Sequence, residues 1–291
     1  MQIAICTPEI WDAPISAKIS TELPASSIIP RMSNDAWLDA ETARRYQIFT
    51  EKTTMYQELS RELLNLAGIR SGMRVLDLGC GTGVTTQMVL QELGSKGHVY
   101  ALDISPAMLD IARQQVGSKQ VTFLKADAAD VANLISTPVE RIVCNSVFWQ
   151  FRHKPQVMAA LRRVLAPNGL FVFNAPEPYF IFKHIPRSPK VSLLFKQLAA
   201  ERYGVGQQDI RTMEVFLNRH GFELAQMKEF ERVRSAEESY LFFQLPVATA
   251  WMEPPLDYPT RMALLEEAQQ LAEPDQPVRQ RWMYFVVQPN Y

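Results

Sequence analysis

Two rhythms of apolar residues alternate along this chain. Short runs rich in aliphatic and β-branched residues read as strands buried on both faces: Val75 to Leu78, His98 to Leu102, Val121 to Leu124, Arg141 to Cys144 and Leu170 to Phe173. Between them the pattern predicts helices, one starting near Val84, one capped by Ser105 with Pro106 in its first turn, one near Asp130 and one through Leu161 to Val164. Upstream, Tyr56, Leu59, Leu63 and Leu66 fall at helical spacing before a stop at Gly68, and Ser33, Asn34 and Asp35 offer N-caps for a helix starting near Trp37. Downstream, helices are predicted around Leu193 to Leu198, from Ile210 to His220, after the Ser235-Ala236-Glu237-Glu238 capping box and from Thr260 to Leu271. Strands are predicted at Phe222 and at Trp282 to Val287. Alternating strands and helices place the chain in the α/β class, three layers around a sheet of about seven strands.

The first strand ends in a carboxylate, Asp77, and runs straight into Gly79-Cys80-Gly81-Thr82-Gly83. Three glycines on alternate positions allow a sharp turn into a helix and let a ligand approach the backbone with no Cβ in the way. The spacing differs from the Gly-x-Gly-x-x-Gly dinucleotide fingerprint, because position 84 is Val. The second strand ends in Asp103, where a nucleoside-binding βαβ unit places its ribose acid. The third leads to Asp127, and Leu161 to Gly169 forms a helix-turn leading to the fifth strand. At Asn168 in that turn, Asn tolerates the left-handed conformation.

In this order and spacing, residues 70 to 175 resemble the Rossmann-like (class I) S-adenosylmethionine methyltransferases of the stand-alone, small-molecule type. The resemblance implies that the last strand inserts antiparallel into an otherwise parallel sheet, with helical lid insertions around it. It implies S-adenosylmethionine as cofactor, with Gly79, Gly81 and Gly83 about its methionine part, Asp103 on the ribose, and Asp127 with Ala128 on the adenine. Asp77, Cys80, Ile104, Met108, Asn145 and Ser146 complete the implied cofactor set. Tyr46 lies at the distance upstream where relatives close an aromatic lid over the methyl donor, and is a candidate for both cofactor binding and catalysis.

Composition bounds the acceptor. With 291 residues and 47% hydrophobic content the chain can bury a large core, and 30 basic against 31 acidic residues leave a formal charge of −1. No basic block or basic-aromatic stripe suits a nucleic acid, and the four residues after the fourth strand, Asn145-Ser146-Val147-Phe148, lack the two prolines used by amino-methylating enzymes of nucleic acids. Cysteines at 6, 80 and 144 and the absence of a histidine-carboxylate cluster give no metal-ligand spacing. The opening residues predict no signal peptide and no stretch predicts a membrane span, so a cytoplasmic setting is expected.

Domain boundaries follow the same reading: an N-terminal arm and helical lid over 1–66, the cofactor-binding core over 67–175, a substrate-lid insertion over 176–207, and completion of the core over 208–291 with a second insertion at about 234–276. Prolines and aromatics concentrate in the added segments, which suits an apolar chamber. Methyl transfer from a sulfonium needs alignment in a dry site, and a base only where the acceptor keeps its proton. His153 and His184 are the candidate bases. The expected function is methylation of a small, partly apolar metabolite, with oxygen favoured as the acceptor atom. The alternatives are N- or C-methylation, aminopropyl transfer, and a cofactor-binding subunit without catalysis.

Overall fold

A computed structural model describes residues 34–177, 179–187, 189–249, 256–272 and 277–290. The irregular arm expected over residues 1–32 and the prolines at 254 and 255 lie outside the described residues. The described chain begins with a 3-10 turn, Asn34–Leu38, and α1 (Ala40–Lys52). The cap of α1 is Asp39, later than the expected Ser33 to Asp35, because its carboxylate reaches the Thr42 N–H at 2.9 Å. Helix α2 (Met55–Ala67) stops at Gly68, which takes φ 56° and donates its N–H to Leu64.

Then follow β1 (Arg74–Leu78), α3 (Val84–Leu93), β2 (His98–Asp103), α4 (Pro106–Val116), β3 (Val121–Lys125) and β4 (Val139–Cys144). After these come α5 (Lys154–Val164), β5 (Leu165–Pro176), β6 (Phe180–Ile181), α6 (Val191–Tyr203), β7 (Gln208–Asp209) and α7 (Ile210–Arg219). The last elements are β8 (Phe222–Arg234), α8 (Ala236–Phe243), α9 (Tyr258–Leu271) and β9 (Val278–Pro289). Seven strands form one sheet in the order β3-β2-β1-β4-β5-β9-β8, and β6 with β7 forms a separate two-stranded sheet. Strand β9 runs antiparallel to both its neighbours, as the family resemblance implies.

Alternation along the strands divides the core. Leu76, Leu78, Ile142, Phe171, Phe173 and Phe285 face α5 and α7 through Val157, Leu161 and Phe216. Val75, Val99, Val143, Val172 and Val286 face α2 and α3 through Leu59, Leu63, Val89 and Leu93. Both faces are therefore dry, which explains the near-continuous apolar runs of the strands.

The left-handed conformation available to Asn168 is not used. Pairing of Val139 with Leu165 keeps the chain extended from Leu165, and the one non-glycine residue at positive φ among those described is Ser146, at 63°. The segment between β5 and β8 is tied by Glu201, buried between Arg187 at 2.6 Å and Arg211 at 2.5 Å. Past β8, the Arg232 guanidinium joins Glu238 of α8, Glu58 of α2 and Gln280 of β9. No described helix is long and apolar enough to cross a membrane.

Candidate functional site

The turn after β1 shapes one side of a cavity at the carboxyl ends of the strands. Gly79, Gly81 and Gly83 all take positive φ (79°, 53° and 92°). At Gly79 a Cβ would sit 2.7 Å from a Val147 methyl, so glycine is required twice over, by conformation and by space. The turn is pinned to the end of β2, since the N–H groups of Gly79 and Cys80 both donate to the Leu102 carbonyl at 2.8 and 2.9 Å. Asp103 completes the clasp, accepting from the Gly81 N–H and the Ser105 N–H at 2.9 Å each. Burial pushes the Asp103 carboxyl above its ordinary range, and these backbone donors pull against that shift.

Beneath the turn, Asp77 accepts from the Thr86 hydroxyl at 2.6 Å, while its second oxygen is buried with no hydrogen-bond partner. Burial raises its pKa to about 7, with the nearby Asp103 charge adding to the shift. The Thr82 hydroxyl is buried without a partner as well.

The cavity encloses about 820 Å³ counting its open mouth, within the size range of small-molecule sites. Ten of the sequence candidates line it: Tyr46, Gly79, Gly81, Asp103, Ile104, Met108, Asp127, Ala128, Asn145 and Ser146. Asp127 lies at the start of the 3-10 turn Ala128–Asn133, where it accepts from the Ala129 N–H at 2.9 Å; this cap was expected at Asp130.

Asp77, Cys80 and Gly83 do not line the cavity. Asp77 points toward α3, and Gly83 starts that helix so close to α4 that a Cβ would meet Val116 at 2.9 Å. Cys80 packs its buried sulfur with Ala101 and Leu109, and burial pushes its thiol well above the usual range. His153 and His184 are not in the lining either. Both are exposed, His153 just ahead of α5 and His184 in the loop after β6, where solvation is the stable state of an imidazole.

Further lining comes from the segment ahead of β1, with α1 and α2, and from the turn after β4. Tyr46 lies 5.0 Å from Tyr56 and 5.9 Å from Trp37 between ring centroids, and its ring would be 3.6 Å from a Cβ on Gly81. Burial holds Tyr46 well above the ordinary phenol range, with the neighbouring Tyr56 adding to the shift, and raises Tyr56 to about 12.

After β4, Ser146 is held at positive φ by two asparagines. Its N–H donates to Asn174 at 2.7 Å and its hydroxyl to Asn145 at 3.1 Å. Asn174 also donates to Asn145 at 2.9 Å, and Asn145 to Ser60 at 3.0 Å. Farther along the turn, the buried Lys154 ammonium donates to the Trp149 and Phe151 carbonyls at 3.1 and 2.8 Å, and burial lowers its pKa to about 8.

Trp37, Tyr56, Val147, Gln150, Phe151 and Arg152 line the cavity without having been among the sequence candidates. The signals for them were the aromatic segment of Trp37, Tyr46, Phe49 and Tyr56 ahead of β1 and the Phe148-Trp149-Gln150-Phe151-Arg152 run after a strand end. The late insertions, expected as substrate lids, contribute no described residue to the lining. They brace the elements that do. Tyr179 stacks on Trp149 at 5.1 Å, and Phe242 packs on Phe49 of α1 at 5.9 Å.

A family model described as a methyltransferase domain matches residues 69–231. The chain belongs to the methyltransferase domain family. It is 30% identical over 51% of its length to a malonyl-[acyl-carrier protein] O-methyltransferase from Paenibacillus sp. (strain JDR-2), of which it covers 56%. It is 32% identical over 40% of its length to a ubiquinone/menaquinone biosynthesis C-methyltransferase from Pseudomonas paraeruginosa, of which it covers 48%. It thus spans about half the length of the curated relatives it matches.

Among solved structures, an S-adenosylmethionine-dependent methyltransferase from Geobacter sulfurreducens, in complex with S-adenosyl-L-homocysteine, shares the fold with a TM-score of 0.52 at 17% identity. That match covers 85% of this chain and 98% of the other. The cavity of this chain brings together a glycine turn and acids at the ends of β2 and β3, with an unpartnered buried carboxylate oxygen beneath.

Proposed function

We propose that this chain is an S-adenosylmethionine-dependent methyltransferase that methylates a small, partly apolar metabolite at oxygen. One observation carries the reading. The glycine turn, Asp103, and Asp127 with Ala128 line a single cavity, as groups suited to the amino-acid, ribose and adenine parts of a sulfonium nucleoside. The donor supplies an activated methyl group and its own leaving group.

In this reading Gly79 and Gly81 offer backbone to the donor's amino-acid end and Asp103 accepts from the ribose hydroxyls. Asp127 and Ala128 meet the adenine edge. The faces of Tyr46 and Tyr56 suit a sulfonium, because aromatic quadrupoles attract cations. Trp37, Tyr46 and Tyr56, ahead of β1, act as the lid, and residues 67–175 supply the donor site. The relative named as an O-methyltransferase supports oxygen, and the C-methyltransferase supports a second reading in which an electron-rich carbon takes the methyl group.

Calorimetric titration with S-adenosylmethionine and S-adenosylhomocysteine tests the donor assignment. Micromolar, one-to-one binding of both is expected, and absence of binding overturns it. Incubation with labelled donor and a panel of acids, phenols and amines then locates the acceptor atom.

A further inference from the structure

Lys154 sits where a lysine is costly. It is the first residue of α5, where the helix dipole disfavours a cation, and it is buried. Among the described residues its ammonium meets two main-chain carbonyls and no carboxylate: it donates to Trp149 at 3.1 Å and to Phe151 at 2.8 Å. Burial lowers its pKa to about 8, so the folded chain carries this charge against a cost. Proteins break such local rules where a site, and not stability, sets the residue.

The carbonyls it holds belong to the turn between β4 and α5, which lies outside the sheet and is satisfied group by group. The Gln150 side-chain amide donates to the Ser146 carbonyl at 3.1 Å, the Gln150 N–H to Val147 at 2.8 Å and the Phe151 N–H to Phe148 at 3.4 Å. Lys154 takes the remaining two, on Trp149 and Phe151. Val147, Gln150 and Phe151 of this turn line the cavity, and a Cβ on Gly79 would sit 2.7 Å from a Val147 methyl, so the turn rests directly on the glycine turn. Lys154 itself is not in the lining. Its stem is seated from behind by the segment after β5: at Gly204, which ends α6, a Cβ would lie 2.8 Å from Lys154 Cδ and 3.1 Å from the Phe216 ring of α7.

We propose, building on the methyltransferase reading above, that Lys154 is a positioning residue for the donor. Its ammonium fixes the turn from Val147 to Phe151 against the glycine turn and so sets the shape of the cavity in which the donor lies. An ammonium has three N–H groups and can hold two carbonyls at once, which an apolar side chain of the same length cannot do. A packing role would use the stem alone and would gain from losing the buried charge.

The test separates stem from charge in the full chain. Lys154→Met keeps an unbranched apolar stem and removes the ammonium, while Lys154→Gln keeps N–H donors without the charge. In calorimetry with S-adenosylhomocysteine, Lys154→Met should bind about tenfold more weakly than the wild type, the scale of one lost hydrogen bond to a charged group. Lys154→Gln should recover part of that loss. Urea unfolding should place the Lys154→Met midpoint at or above that of the wild type, because an uncompensated buried charge has gone. Affinity then falls while stability does not, a split that a packing residue does not give. The proposal is overturned by unchanged affinity in Lys154→Met, or by an unfolding midpoint that falls together with the affinity. Wild-type binding that Lys154→Met leaves intact defeats only this inference, and no binding by the wild type defeats the reading beneath it.

Discussion

Two neighbouring turns line the cavity and solve the same problem by opposite means. The turn after β1 bends through three glycines and rests on Asp77, whose second oxygen is buried and unpartnered. The turn after β4 has no glycine; it bends at Ser146 and holds that strained residue with Asn145 and Asn174, whose amides are engaged with each other and with their neighbours. The first turn is electrostatically unfinished and the second is satisfied without a ligand. A site that must accept and release a cationic donor benefits from both, since one turn gains when the donor arrives and the other keeps its shape throughout.

The largest contrast should appear in pH dependence. Asp77 has a pKa of about 7 in the fold against an ordinary value of 3.8, so the folded state holds that proton more tightly than the unfolded chain. Its contribution is full below the ordinary value and is lost as pH rises through 7, up to about 4 kcal/mol by the pKa difference. Denaturant unfolding of donor-free protein between pH 4 and 8 should show that decline. Asp77→Asn should flatten it, and an unchanged slope in the variant would place the titration elsewhere.

Gly79→Ala should come next, destabilising the fold by about 3 kcal/mol, because the added methyl meets Val147 in a backbone conformation that L residues avoid. Val147→Ala in the same chain should recover the steric part and leave the conformational part. Asp103→Ala should weaken S-adenosylmethionine binding at least tenfold by calorimetry, each lost charge-assisted bond being worth about 1.5–3 kcal/mol. Asn174→Ala, in the other turn, should cost about 1–3 kcal/mol of stability by leaving the Ser146 N–H unmatched and removing one of the two donors to the Asn145 amide oxygen. Donor affinity should fall far less than in Asp103→Ala; an equal fall in both variants would dissolve the distinction between the turns.

The same contrast sets what could be read from residues alone. The strands, the antiparallel last strand and the first turn are local in sequence or carried by a family pattern, so glycine spacing and apolar runs exposed them. Of the second turn, Asn145 and Ser146 were legible, but their support was not. Asn174 lies 29 positions from Asn145 and looks like any polar residue within a strand. Lys154 reads as a surface lysine at the start of a helix, yet it is buried against carbonyls. The histidines misled for the complementary reason: residue type suggested a base, and only the third dimension placed His153 and His184 in solvent. The lid insertions were legible as additions, but which of them reaches the cavity depends on packing between distant elements such as Trp149 with Tyr179.

The position of β9 also governs the order in which the molecule can form. Strand β8 has no place in the sheet until β9 enters between it and β5, pairing along Phe171 to Pro176 on one side and Phe222 to Arg234 on the other. The Tyr284 hydroxyl on that same strand donates to the Leu59 carbonyl at 3.0 Å, fixing α2 and with it Tyr56 of the cavity wall. On a ribosome, the glycine turn and the acids of β2 and β3 can assemble while these residues are still unmade, since their partners are nearby in sequence. The opposite wall cannot, because its anchor Tyr284 is translated only after all of them, and long-range pairings of this kind form slowly. A nascent chain would therefore acquire the glycine-turn side of this cavity well before it acquires the wall that α2 builds.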